Sequence, residues 1–363
     1  MSTLASKLFS PLKIGNITLA HRVVMAPLTR YRANENHAHT ELGVQYYSQR
    51  AEIPGTLLIT EATAISPEAA GYDYIPGIWS DEQIKAWKDI TDAVHKQRSH
   101  IFLQLWALGR TADPKVVARK GLPFVSASAI PMEEGGPIPK ALSEEEIKLY
   151  VEQYAQAAKN AVAKAGFDGV EIHGATGYLP DQFLQDVSNK RTDRYGGSIE
   201  NRARFVLEIV DAVTTAVGAN RTGIRFSPWS KFQGMGMEDP IPTYSYVVKE
   251  LARRHGDMAY IHFIESRMDE NPVEKHYSND FAREIWSPRP FLNAGGYNAK
   301  SAEETATKYE NNAVVFGRYF ISNPDLPERL KNGVALSHYD RSTFFSHDAK
   351  GYIDYPKASE VRA

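Results

Sequence analysis

Eight short apolar, β-rich runs recur along the chain, at 22–26, 56–60, 101–105, 169–172, 223–227, 260–264, 291–294 and 313–316. The stretches between them carry helix signals. Asp81-Glu82-Gln83-Ile84 opens one helix, with Ser80 placed to cap it. Ser143-Glu144-Glu145-Glu146 opens another with a Ser-x-x-Glu capping box. The span 198–217 is long, amphipathic and followed by Gly218, a usual residue just past a helix end. Strand and helix therefore alternate eight times, which predicts a parallel sheet closed into a (β/α)8 TIM barrel. The competing topology is an open doubly wound sheet. It requires a glycine-rich first turn, and the turn here, Pro27-Leu28-Thr29-Arg30, has none.

The 363 residues exceed the roughly 250 of a bare barrel by about 110. The excess falls at 107–142 after strand three, at 265–279 after strand six, and in a tail beyond about 333. The first two lie on βα loops, the face where barrels keep their chemistry. The tail segment Tyr339-Asp340-Arg341-Ser342-Thr343-Phe344-Phe345 is too aromatic for a disordered end. It is expected to fold back, giving a TIM barrel with extended βα loops and a C-terminal extension. No internal repeat, low-complexity tract or linker interrupts the chain, so 1–363 reads as one domain.

Chemistry concentrates where strand four ends, in Glu171-Ile172-His173-Gly174-Ala175-Thr176-Gly177-Tyr178. His173 and Thr176 can both donate to one ligand oxygen. Tyr178 brings an exchangeable proton with an ordinary pKa of about 10. Together they can hold a carbonyl oxygen and deliver a proton beside it. Strand seven ends in Gly295-Gly296, and strand eight in Gly317-Arg318. Each glycine alone reads as turn chemistry. Both together, after strands seven and eight with an arginine alongside, point to a phosphate site. Arg225 lies inside strand five, where an unpaired cation is costly. It serves either an anionic ligand or an ion pair with a buried carboxylate such as Glu61. Gln104 and Trp106 end strand three. They suit a pyrimidine-like edge and a flat substrate, or they fill the barrel mouth.

Bulk composition removes several classes. Lys plus Arg total 42 and Asp plus Glu 44, a formal charge of −2 that gives no long-range pull toward nucleic acid or an anionic membrane. No cysteine is present, so disulfides, thiolate nucleophiles and cysteine-ligated metals are excluded. The 11 histidines are scattered, without a helical H-x-x-x-H pair beside a carboxylate, and no metal is expected. No G-x-S-x-G elbow occurs. The first twenty residues lack a signal-peptide core, and no apolar run approaches a membrane span of about 18 residues. A cytoplasmic protein is expected, monomeric or homodimeric, with a small-molecule substrate.

Nearly the full length resembles the old yellow enzymes, the FMN-dependent ene-reductases, most closely their fungal and yeast branch. The matching stretches include MAPLTR (25–30), PGTLLITEAT (54–63), QLWALGR (104–110), GFDGVEIH (166–173), DRYGGSIENRARF (193–205), SNDF (278–281), FGRYFISNPDL (316–326) and GYIDYP (351–356). The resemblance implies non-covalent FMN, with NADPH as reductant. Pro27, Leu28, Thr29 and Ala62 would line the flavin. Gln104 would hold its pyrimidine edge, and Arg225 would sit where negative charge collects. Gly295, Gly296, Gly317 and Arg318 would take the phosphate. His173 and Thr176 would bind the substrate carbonyl, Tyr178 would give the proton, and Trp106, Phe232, Phe281 and Phe345 would shape the pocket. The implied reaction is ping-pong reduction of the activated C=C bond of an α,β-unsaturated carbonyl compound. The chain departs from the family at Thr176, usually Asn or His, at Ala62, often Gly, and at Phe345, often Tyr. These departures keep open an alternative, a flavin-dependent isomerase or dehydrogenase of a fungal secondary-metabolite pathway.

Overall fold

The structure, a computed structural model, describes residues 6–266 and 277–361. Among them, eight parallel strands close a ring: β1 (Val23–Met25), β2 (Leu57–Ile59), β3 (His100–Trp106), β4 (Gly169–His173), β5 (Thr222–Phe226), β6 (Tyr260–Ile264), β7 (Phe291–Ala294) and β8 (Asn312–Phe316). β1 pairs with both β8 and β2, and β2 with β3, so no edge is left open. All eight strands overlap the runs read from the sequence. The ring is a (β/α)8 TIM barrel.

Side-chain alternation divides the strands into two faces. Val24, Leu57, Phe102, Tyr260, Leu292 and Val315 pack within the ring. Met25, Leu58, Leu103, Ile172, Phe263 and Val314 face the helices. Those helices are α1 (Glu41–Arg50), α2 (Asp81–Lys96), α3 (Glu144–Lys159), α4 (Ile199–Val217), α5 (Ile241–Arg254), α6 (Asp280–Trp286), α7 (Ala299–Lys308) and α8 (Leu326–Asn332). The expected caps form. Ser80 and Gln83 make a capping box at α2, Ser143 and Glu146 one at α3, and Gly218 ends α4 at φ 95°. Each box satisfies N–H groups that the first turn leaves orphaned, about 1 kcal/mol per cap.

The long insertion after β3 folds over the C-terminal face. Its Arg110 donates to the carbonyls of Ile130 and Pro131 and also to those of Gln233 and Gly234, tying the β3 and β5 loops together. The insertion expected at 265–279 lies mostly outside the described residues. The tail folds back as expected. Arg30 donates to Gly351 O at 2.7 Å, and Arg32 reaches the carbonyls of Thr343 and Phe344. Tyr352 stacks on Tyr46 with centroids 4.0 Å apart. These buried guanidinium groups satisfy tail carbonyls that would otherwise be stranded beneath the extension. No helix of the described residues is long and apolar enough to cross a membrane.

Candidate active site

A cavity of about 440 Å³ opens at the C-terminal face of the barrel. Its walls come from the ends of β1, β4, β5, β6, β7 and β8. Pro27 and Leu28 line one side, Arg225 and Thr176 another, and Gly295, Gly296, Gly317 and Arg318 the far end. Thr29 continues the first wall, half-buried. The glycine end is shaped for close approach of a ligand. Gly295 has φ 127°, and a Cβ there would stand 3.0 Å from Glu265 Cβ. A Cβ on Gly317 would meet Leu28 at 3.4 Å. Beside them α7 begins at Asn298, whose side chain caps it while the residue lines the cavity. Glycine backbone, a helix N-terminus and an arginine together make an anion cradle. Arg318 also donates to the Tyr339 hydroxyl at 3.3 Å, which brings the tail into the cavity wall.

Deeper in the barrel lies a buried polar layer. Arg225 is in register with His173 on β4 and with His262 on β6. One level below, Glu171 is wholly buried. It accepts from Gln104 Nε2 at 2.7 Å through Oε1, and its Oε2 lies 2.9 Å from His262 Nδ1. Burial alone would raise this carboxyl, but His262, Arg225 and the Gln104 donor outweigh it and hold Glu171 below its ordinary value. His262 is itself lowered by burial. A carboxylate only accepts, so the Nδ1 of a neutral His262 carries the proton. The carboxylate whose charge acts on Arg225 is Glu171. Glu61, the partner considered from the sequence, instead accepts from Arg30 N at 3.2 Å and lies 3.6 Å from His39. Strand alternation held the signal for Glu171, because on β4 positions 171 and 173 share the inward face.

The β4 end delivers the expected cluster. His173 is buried, and its ring lies 4.6 Å from that of Tyr178. Burial, then the charges of Arg225 and His262, push its pKa well below the ordinary value, so the imidazole is neutral. Burial and the neighbouring Tyr72 and Tyr31 push the Tyr178 phenol up, while a hydrogen bond from the Gln233 side chain works the other way. Thr176 adopts φ 53°, left-handed backbone that is an outlier for a β-branched residue and that Asn tolerates better. Two bonds hold it there: its N–H donates to Ser227 Oγ at 2.7 Å, and its carbonyl accepts from Gln233 Nε2 at 2.5 Å. Gln233 thus touches both the phenol and the residue beside the imidazole. It carries no motif, and only the folded loop reveals it.

Aromatic contacts run outward from this cluster. Tyr178 meets Trp106 edge-on at 5.0 Å, Trp106 meets Tyr72 at 6.1 Å, Tyr72 meets Tyr31 at 6.0 Å, and Tyr31 meets Phe345 at 5.5 Å. Ala62 packs in the same group. Phe345 and Phe232 are 61% and 63% exposed, which places them at the rim. Phe281 departs from expectation. It sits on α6 against Phe263, in the layer between barrel and helices, with its ring 6.3 Å from Phe263 and 6.2 Å from Trp229. The SNDF match is explained by that packing: Asn279 accepts from Trp229 Nε1 and Phe281 fills the layer behind.

The cavity fits a flavin by its own chemistry. Arg225, which lines it, keeps its Nε buried without a hydrogen-bond partner among the described residues. Leaving such a group unmet is costly, and a ligand with a polar ring edge meets it. The far end has the donor set of an anion site, as described above.

Comparison with known proteins agrees. The family model for the NADH:flavin oxidoreductase / NADH oxidase family matches residues 7–337. A chanoclavine-I aldehyde reductase of Penicillium roqueforti is 52% identical, over 98% of both chains. A protein named as a probable inactive reductase in Epichloe festucae var. lolii is 49% identical, over 99% of this chain and 97% of its own. Among solved structures, Old Yellow Enzyme from a Pichia species superposes with a TM-score of 0.92 at 42% identity, over 98% of this chain and 94% of that one.

Proposed function

Because the chain belongs to the NADH:flavin oxidoreductase / NADH oxidase family, we propose that it is an FMN-dependent, NADPH-consuming ene-reductase acting on the C=C bond of an α,β-unsaturated aldehyde. The observation that carries this reading is the β4 cluster. A neutral imidazole and a protonated phenol stand with ring centroids 4.6 Å apart, and Thr176, between them in sequence, lines a cavity whose far end has the donors of an anion site. The aldehyde follows the printed activity of the Penicillium relative.

FMN would be held non-covalently by Pro27, Leu28 and Thr29 on one face, by Gln104 and Arg225 at the pyrimidine edge, and by the two glycine segments with Arg318 at the phosphate. When bound, it supplies two-electron exchange between nicotinamide and substrate. The chain's own residues do the rest. His173 is neutral and buried. It donates one hydrogen bond to the substrate carbonyl oxygen and stabilises charge there without losing its proton. Thr176 offers a second, shorter-reaching donor. Tyr178 gives its phenolic proton to the α-carbon and recovers one from solvent. Its raised pKa keeps it protonated across neutral pH, so it serves as acid and not as base. Gln233 steadies the phenol oxygen. Trp106 and the tyrosines beyond it exclude water around a flat substrate.

Some relatives carry names that mark them as inactive. The presence of both His173 and Tyr178 supports turnover in this chain. Purified protein is expected to be yellow, to release FMN on denaturation, and to consume NADPH steadily with an α,β-unsaturated aldehyde. Colourless protein that takes up no added FMN defeats the reading.

A further inference from the structure

The mechanism above leaves the buried Glu171 without a role. It is wholly buried inside the barrel, in strand register with Gln104, and in the field of Arg225. Its two oxygens are occupied by different partners, Gln104 Nε2 at 2.7 Å and His262 Nδ1 at 2.9 Å. A carboxylate accepts only, so the amide nitrogen of Gln104 must be the end facing it. The carbonyl oxygen is then the end turned away and available to a ring N–H. His262, tied to the other oxygen, keeps the carboxylate from rotating to release Gln104. The layer carries one negative charge, on Glu171, and one positive, on Arg225.

We propose that Glu171 is a positioning residue of the cofactor site: it fixes which end of the Gln104 carboxamide meets the pyrimidine edge, and its charge offsets that of Arg225. This rests on the FMN reading above. Arg225 alone would favour the reduced cofactor, which carries more negative charge, over the oxidised one. Glu171 moderates that preference through a water-excluded interior, where screening is weak. Its removal therefore changes the balance between the two redox forms, whereas loss of Gln104 removes a contact made to both.

The test strips FMN from the protein and measures binding of oxidised and two-electron-reduced FMN, the latter without oxygen. Glu171→Gln is expected to shift the affinity ratio about tenfold toward the reduced form, which for a two-electron couple is about 30 mV of potential. Gln104→Leu is expected to weaken both forms alike and leave the ratio unmoved. An unchanged ratio in Glu171→Gln, or a shift toward the oxidised form, overturns the charge role. Should that variant fail to fold, the native protein supplies a second measurement, binding of FMN methylated at N3. A carbonyl held toward the ring has lost its donor there, so affinity is expected to fall at least tenfold. Equal binding of the methylated and ordinary cofactor overturns the orientation role. Native protein that binds no FMN defeats the functional reading itself, which separates the two failures.

Discussion

The two halves of the candidate site are built differently. The cofactor half rests on backbone and fixed charge: the glycine segments, the start of α7, and Arg225 in register with the strands on either side. The substrate half rests on side chains and strained backbone. Thr176 and Gln233 both hold positive φ, at 53° and 60°, and Phe232 and Phe345 stand exposed at the rim. Rigid strand ends fix the geometry of one half. Loops and side chains leave the other half free to change with substrate. On this account, changes in the substrate half abolish or alter turnover and spare the flavin. Changes in the cofactor half lose the flavin first.

The largest expected effect is Tyr178→Phe. Loss of a positioned general acid costs typically a hundred- to ten-thousand-fold. Reductive turnover is expected to fall within that range while FMN content stays native, checked by the visible spectrum and by product mass. A variant that loses its flavin as well would erase the division between the halves.

Arg225→Ala attacks the other half. It removes the cation beside the cofactor and leaves Glu171 buried without its counter-charge. FMN affinity is expected to fall at least tenfold, about 1.4 kcal/mol, measured by titration of the stripped protein. Retained affinity and an unchanged potential would make Arg225 structural.

Thr176→Asn sharpens the comparison from within the substrate half. Left-handed backbone costs an ordinary L-residue roughly 1–2 kcal/mol, and Asn recovers part of that. The variant is expected to gain up to about 1 kcal/mol of stability and to turn over a simple cyclic enone several-fold faster, because the amide adds a longer donor beside His173. Equal rates in the Asn and Thr forms would show that position 176 does not touch the reacting oxygen.

The smallest expected effect is in the pH profile. The folded-state pKa of His173 is depressed well below 6.5, so the imidazole stays neutral where an ordinary histidine titrates. Turnover should show no step from His173 in that window. The Tyr178 phenol is raised above 10, so its loss of activity in alkali should come later than for an ordinary tyrosine. A step near pH 6.5 that vanishes in His173→Ala would contradict the neutral imidazole.

The same division sets what the sequence could reveal. Strand runs and caps come from local pattern, and all eight strands fell where periodicity put them. Gly295, Gly296, Gly317, Arg318 and Arg225 occupy strand ends whose place in the barrel follows from strand order. Gln233 and Ser227 could not be read, because they act through one backbone segment at 176 that only the folded β5 loop meets. Phe281 was misplaced because a motif match records packing as readily as binding. Glu171 was legible in principle: it shares the inward face of β4 with His173, yet the carboxylate weighed against Arg225 was Glu61, on another strand end.

The measurement closest to the central claim follows the transferred hydrogens. Protein reduced by NADPH without oxygen is mixed with an α,β-unsaturated aldehyde in heavy water, and the product is analysed by mass and by NMR. The account predicts a saturated aldehyde, two hydrogens heavier in ordinary water, with a solvent deuterium at the α-carbon. In Tyr178→Phe the α-deuterated product should form far more slowly while flavin reduction by NADPH proceeds unchanged. A product of unchanged mass, or an alcohol with its C=C bond intact, would contradict it.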